Sequence, residues 1–167
     1  GNSVDGSEFY TLTVDVTAGG IVTVDNVTIP GKAIFTYDPG TVVSLNATPD
    51  TGYQLLSWTG DVATIANINA AVTNITMDGA KSVTANFSQL QYTLSLAGVG
   101  SGQVRVNGTL RSLPWSGDFG CGSSVSLEAV PDTCYQFDNW SGDLGGSVNP
   151  TNITMDDNYA ITANFVG

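Results

Sequence analysis

A stretch of ten residues in this chain returns with five of them unchanged. Gly52-Tyr53-Gln54-Leu55-Leu56-Ser57-Trp58-Thr59-Gly60-Asp61 returns 82 positions later as Cys134-Tyr135-Gln136-Phe137-Asp138-Asn139-Trp140-Ser141-Gly142-Asp143. The same offset carries Tyr10-Thr11-Leu12-Thr13 onto Tyr92-Thr93-Leu94-Ser95, and Thr48-Pro49-Asp50 onto Val130-Pro131-Asp132. One offset shared by three separated stretches means a duplicated unit, and a repeat has to be recognised before any fold is argued. The expected organisation is a tail over 1–9, a module over 10–87, a linker over 88–91 and a second module over 92–167. Each module is near the size at which a single hydrophobic core barely suffices. Gly6-Ser7-Glu8-Phe9 is what two adjacent cloning sites encode, so part of the tail reads as vector-derived. The end, two residues after Phe165, reads as a cut before a further module.

Periodicity inside each unit is that of strands. Tyr10, Leu12, Val14 and Val16 alternate with Thr11, Thr13 and Asp15, the mark of a half-buried strand. Ala18-Gly19-Gly20 is a turn, after which Ile21 to Val24 is expected to return as a hairpin partner. Asn26 to Pro39 reads as a looser connection. Val43, Leu45 and Ala47 form the next inward set and stop at Pro49, which cannot donate to a ladder. Asp61 to Val72 carries no Gly or Pro and is the one place where a short helical turn competes, although Thr and Asn are weak helix formers. Asp78-Gly79 between alternating runs predicts a hairpin. The second unit is four residues shorter between its Trp and its Met, a change that belongs in a loop. The fold class expected is all-β, with at most a short helical turn per unit.

Charge narrows the partners. Fifteen Asp and Glu face four basic residues, Lys32, Lys81, Arg105 and Arg111, for a formal net charge of −11. Nucleic acid and anionic lipid both require clustered Lys and Arg, which the sequence lacks. No apolar run approaches the ~18 residues of a membrane-spanning helix, so membrane insertion is not expected. Only 11% of residues are charged, while Thr, Ser, Asn and Gly are abundant, the style of an extracellular or cell-surface protein.

The strand and hairpin pattern, Ala47-Thr48-Pro49-Asp50-Thr51-Gly52-Tyr53, Trp58-Thr59-Gly60-Asp61 and the closing Ile75-Thr76-Met77-Asp78 with Lys81-Ser82-Val83-Thr84-Ala85-Asn86-Phe87 together resemble the divergent B-repeat family named after the bacterial internalins. The resemblance covers Tyr10 to Phe87 and Tyr92 to Phe165. It implies a small β-rich module, related in its namesake to the β-grasp fold, repeated in tandem within secreted or surface proteins. Members accompany adhesins and carbohydrate-active enzymes, and the family supplies no general catalytic residues. Cys134 departs from the pattern where the first unit has Gly52.

Chemistry-bearing residues are few. Histidine is absent, removing the usual general base of a nucleophile triad and the commonest zinc ligand. Asp61 and Asp143 could be imagined as a glycosidase pair, but each sits in a Gly-Asp turn, where Asp serves local backbone bonding. Asp156-Asp157-Asn158 does not match a calcium loop. No catalytic residue, metal ligand or cofactor is therefore expected. Cys121 aligns with Pro39 and Cys134 with Gly52, so the second unit has both cysteines and the first neither, as a disulfide requires. A straight strand over 123–130 would hold the pair beyond the ~7 Å Cα limit, so the bridge needs a bent strand. Trp58 and Trp140 read as core anchors. Strict alternation nevertheless puts Trp140 on the face of Gln136 and Asp138, leaving a partly exposed ring open. Trp115 has no counterpart in the first unit, where Ala33 aligns, and reads as a loop aromatic able to stack on a sugar or to cap the core. Candidate ligand contacts are Trp115, Phe119 and Trp140, with Tyr37 as a further aromatic. Two functions compete: a non-catalytic structural and adhesive repeat contacting extracellular proteins, glycans or neighbouring modules, and a carbohydrate-binding module using Trp115.

Overall fold

The computed structural model describes residues 8–167. The expected tail lies largely outside the described residues. The chain divides into two units between Gln89 and Leu90. No helix occurs among the described residues, including the 61–72 stretch.

Unit one contains β1 (Tyr10–Val16), β2 (Gly20–Val24), β3 (Val27–Thr28), β4 (Ala33–Tyr37), β5 (Val42–Pro49), β6 (Tyr53–Gly60), β7 (Val72–Thr76) and β8 (Lys81–Gln89). They form two four-stranded sheets, ordered β4-β1-β8-β6 and β3-β2-β5-β7. Unit two repeats this with β9 (Gln91–Val99), β10 (Gly102–Val106), β11 (Thr109–Arg111), β12 (Trp115–Gly120), β13 (Ser124–Pro131), β14 (Gln136–Gly142), β15 (Thr151–Thr154) and β16 (Tyr159–Val166). Its sheets are β12-β9-β16-β14 and β11-β10-β13-β15. Of the expected linker, only Leu90 lies between strands.

Alternation builds the core. Leu12, Val14, Val83 and Ala85 from one sheet meet Val22, Val24, Val43, Leu45 and Ile75 from the other, all buried in a single cluster. Unit two has the equivalent cluster around Leu94, Leu96, Val104, Val125, Leu127 and Ile161. Two sheets sharing one apolar interior is a sandwich.

Two expected hairpins are not hairpins. β1 and β2 belong to different sheets, as do β7 and β8, so the Ala18-Gly19-Gly20 and Asp78-Gly79 turns carry the chain across the core rather than back along a neighbour. The true two-residue hairpins lie in the stretch expected to be loose and in its copy. Val24 pairs with Val27 around Asp25-Asn26, and Val106 pairs with Thr109 around Asn107-Gly108. All four turn residues have positive φ, from 47° to 84°, the requirement of a type I′ turn. Asp25 and Asn107 also accept the backbone N–H of Ser44 and Ser126, each at 2.9 Å.

The first and last strands of each unit are its central pair, and they run parallel. β1 lies against β8 from Leu12↔Lys81 to Val16↔Ala85, and β9 against β16 from Leu94↔Tyr159 to Val99↔Asn164.

Candidate functional site

The duplicated Trp-x-Gly-Asp stretch is the natural place to look for a site. Its Trp residues are buried, 1% exposed for Trp58 and 3% for Trp140. The alternation problem is solved by a bulge: pairing with β8 slips between Leu55 and Ser57, and pairing with β16 slips between Phe137 and Asn139. One extra residue on β6 and on β14 turns the Trp inward and pushes Leu56 outward. Each indole N–H then donates to a loop carbonyl, Trp58 Nε1 to Ala70 and Trp140 Nε1 to Val148, both at 2.9 Å. Trp140 is thus corrected from candidate ligand contact to core anchor, since neither its ring nor its N–H is available to a ligand.

The remaining motif residues hold backbone to backbone. Gly60 and Gly142 have φ of 99° and 87°, and a Cβ on either would come within 2.4 Å of a carbonyl oxygen, that of Ser82 or Ala160. Asp61 then donates its N–H to Ser82 O and accepts the Ser82 N–H on its carboxylate, both at 2.9 Å. Asp143 does the same to Ala160 at 2.9 and 2.8 Å. Asn86 and Asn164, on the strands facing the bulges, complete the set. Asn86 Nδ2 donates to Ser57 O at 3.1 Å and Thr59 Oγ1 at 2.9 Å, while Asn164 Nδ2 donates to Asn139 Oδ1 at 2.7 Å and Ser141 Oγ at 3.0 Å. The sequence carried the signal for this role, an Asn-Phe pair closing both units.

The 61–72 loop closes the open side of its sandwich. Ile65 is buried and bridges to Ile75, Trp58 N–H donates to Ile68 O and Ala47 N–H to Ala71 O, each at 2.8 Å. In unit two the shorter loop replaces that last contact with a side chain. Asn149 Oδ1 accepts the Ala129 N–H at 2.8 Å and its Nδ2 donates to Ala129 O at 2.9 Å.

Trp115 is not on a loop: it is the first residue of β12, opposite Leu96 and on the inward face. Its ring is half-buried, lies over Gly117, packs 6.4 Å from the Phe119 ring and carries the Arg111 guanidinium 5.2 Å above it. Arg111 was not singled out by sequence reasoning, because nothing in its spacing ties it to Trp115. In unit one the matching positions are Ala33, Phe35 and Tyr37, with Phe35 stacked on Tyr37 at 6.3 Å. Burial, and then the nearby Asp25 carboxylate, push the Tyr37 hydroxyl up to about 12.

Beside Trp115, on the outer face of β9 and β16, runs a groove of about 570 Å³. Ala97 and Ala160 line it, Ser95, Ser116 and Thr162 add hydroxyls, and Trp115 borders it while its ring packs on the inward face.

The cysteine bridge is not made. Cys121 follows β12 and Cys134 follows β13, and β13 between them is unbroken, paired to both β10 and β15. Eight straight residues separate the thiols by ~25 Å at 3.3 Å each, far beyond bonding reach. Cys134 instead adopts φ 70°, close to the 81° of Gly52 in unit one, so the turn geometry survives the substitution. Acidic residues are engaged locally. Asp78 is held below the usual carboxylate range by its hydrogen bond to Lys81, 2.6 Å away, and Tyr159 O–H donates to Asp156. Among the described residues no three His, Cys, Asp or Glu side chains gather as a metal site would require.

A family model for the divergent InlB B-repeat domain matches residues 10–91 and again 92–167. No curated protein matches the chain. Among solved structures, the major pilin protein T-13 of Streptococcus pyogenes serotype GAS131465 is similar at 12% identity over 96% of this chain and 97% of that one, with a TM-score of 0.39. The minor pilin GBS52 of Streptococcus agalactiae is similar at 9% identity over 95% and 97%, with a TM-score of 0.31.

Proposed function

Since the chain belongs to the divergent InlB B-repeat domain family over both of its units, we propose that it is a non-catalytic structural and adhesive module of a secreted or cell-surface protein. The observation that carries this reading is where the recurring residues are spent. Trp58, Gly60, Asp61 and Asn86, with their copies Trp140, Gly142, Asp143 and Asn164, all serve core packing or backbone closure. A repeat whose shared residues build the fold leaves its polar outer faces for contacts with neighbouring modules or extracellular partners. The weakly charged, Thr-, Ser- and Asn-rich composition supports an exterior location. Antibody raised against the chain should label intact source cells or their medium. Labelling only after permeabilisation would contradict the location, and turnover of a polysaccharide by the purified chain would contradict the non-catalytic reading.

A second reading is supported by the groove beside Trp115. Its size and its hydroxyl-bearing walls suit one or two neutral sugar rings. Arg111 occupies a face of the Trp115 ring, so a sugar would use the groove and not a free stacking platform. A glycan array with the parent and Ala160→Trp, which fills the groove from an exposed position, separates the readings. Binding lost on filling favours the sugar site, and binding unaffected by filling removes it.

A further inference from the structure

Pairing order determines how a unit meets force applied through its own chain. The chain enters unit one along β1 and leaves along β8, and these two strands are hydrogen-bonded neighbours at the centre of one sheet, running the same way. Entry is therefore at one end of the pair and exit at the other. Unit two repeats this with β9 and β16 over six residue pairs. Tension pulling the two ends of a unit apart slides one strand along the other, so the whole ladder shares the force and must yield together. Antiparallel neighbours pulled from a common end instead open one bond at a time.

Three further features reinforce the central pair. Each strand is flanked on its other side by an antiparallel partner, β4 and β6 in unit one, β12 and β14 in unit two, so neither can peel outward. Inner-face residues Leu12, Val14, Val83 and Ala85 are buried, keeping water from that side of the ladder. Backbone and side-chain bonds extend the ladder past its last strand pairs. Thr17 N–H donates to Ala85 O at 3.1 Å and Thr17 Oγ1 accepts the Phe87 N–H at 2.8 Å, while Asn158 Oδ1 accepts the Thr93 N–H at 2.8 Å.

We propose that each unit is a mechanical element, resisting tension transmitted along the polypeptide through its parallel terminal strands. The inference stands on strand order alone and does not depend on the surface assignment or on the groove. Resistance of this kind is set by the barrier to forced unfolding and not by equilibrium stability.

The structure supplies its own control. Exposed Cys134 precedes β14 at the end where the chain finishes, since Gln136 pairs with Val166 in an antiparallel ladder of six residue pairs. Tension between Cys134 and the C-terminus opens that ladder bond by bond, with as many pairs as the parallel ladder offers. Single-molecule pulling of the Cys121→Ser chain, held by its two termini or by Cys134 and the C-terminus, compares the directions in one folded protein. Termini-held molecules should give two unfolding events, each at several-fold higher force than the Cys134-held event at the same speed. Terminal unfolding at equal or lower force, or without two resolved events, would overturn the proposal. The equilibrium unfolding curve of Cys121→Ser, matched to the parent, excludes a damaged fold as the cause of a low reading.

Discussion

Between the two units the aromatic weight on one edge strand has moved by two residues. Unit one has Ala33 and Phe35 where unit two has Trp115 and Gly117, and the Trp115 ring lies over Gly117 in the space a larger side chain would fill. Trp115→Ala should therefore cost about 2 kcal/mol in urea unfolding, less than the ~3–5 of a fully buried aromatic. Adding Gly117→Phe should restore most of that loss, and a double variant no better than the single would show that the two positions do not compensate. Cys134 carries left-handed backbone that Gly52 adopts freely, so Cys134→Gly should gain about 0.5–1 kcal/mol. Non-reducing peptide mapping should yield no fragment joining Cys121 to Cys134. Tyr37 gives the pH dependence. Its folded-state pKa of about 12 lies above the usual tyrosine value of 10.0, so the folded state holds the proton more tightly. The associated stability is complete below pH about 10 and disappears as pH rises through about 12. Tyr37→Phe should flatten alkaline unfolding over that window, and an unchanged profile would assign it to other groups.

At the scale of elements, the sequence made strands legible and their partners obscure. Alternation placed β1, β5, β8 and their copies because one face of each is apolar, and side-chain period is a local property. Turn chemistry was equally local: Asp78-Gly79 and Ala18-Gly19-Gly20 are turns, but whether a turn returns along a neighbour or crosses to the second sheet depends on distant partners. Asp25-Asn26 was missed because neither residue is the expected Gly, though both take positive φ. The bulge that turns Trp58 and Trp140 inward left only an indirect trace, a Trp on the polar phase of its strand. The loop closing unit two makes a sharper test of element-level bonding. Asn149→Ala removes both bonds to Ala129 and should cost about 1 kcal/mol, with Asn149→Asp, which sets a carboxylate oxygen against the Ala129 carbonyl in place of the donor, losing at least as much. Equal stability of Asn149→Ala and parent would mean that the loop is held by Trp140 alone.

For the whole molecule, the duplication read from the sequence corresponds to two sandwiches with matching strand orders and separate cores. The candidate site was less legible, because residues that recur together look alike whether they serve chemistry or architecture. Distances decide between the two: the Asp carboxylates face backbone N–H groups, and the Gly residues sit where a Cβ would strike a carbonyl. Trp58→Ala should remove about 3–5 kcal/mol from unit one and Trp140→Ala the same from unit two. Calorimetry of each variant should show one transition lowered and the other retained. The most direct measurement compares two glycines of unit two with matching backbone. Gly142 (φ 87°) and Gly122 (φ 83°) lose the same conformational freedom on change to Ala, but only at Gly142 does the new Cβ meet a carbonyl oxygen, 2.4 Å away. Denaturant unfolding should show Gly142→Ala losing more than about 2 kcal/mol beyond Gly122→Ala. Equal losses would contradict the claim that the repeated Trp-x-Gly-Asp stretch is there to build the fold.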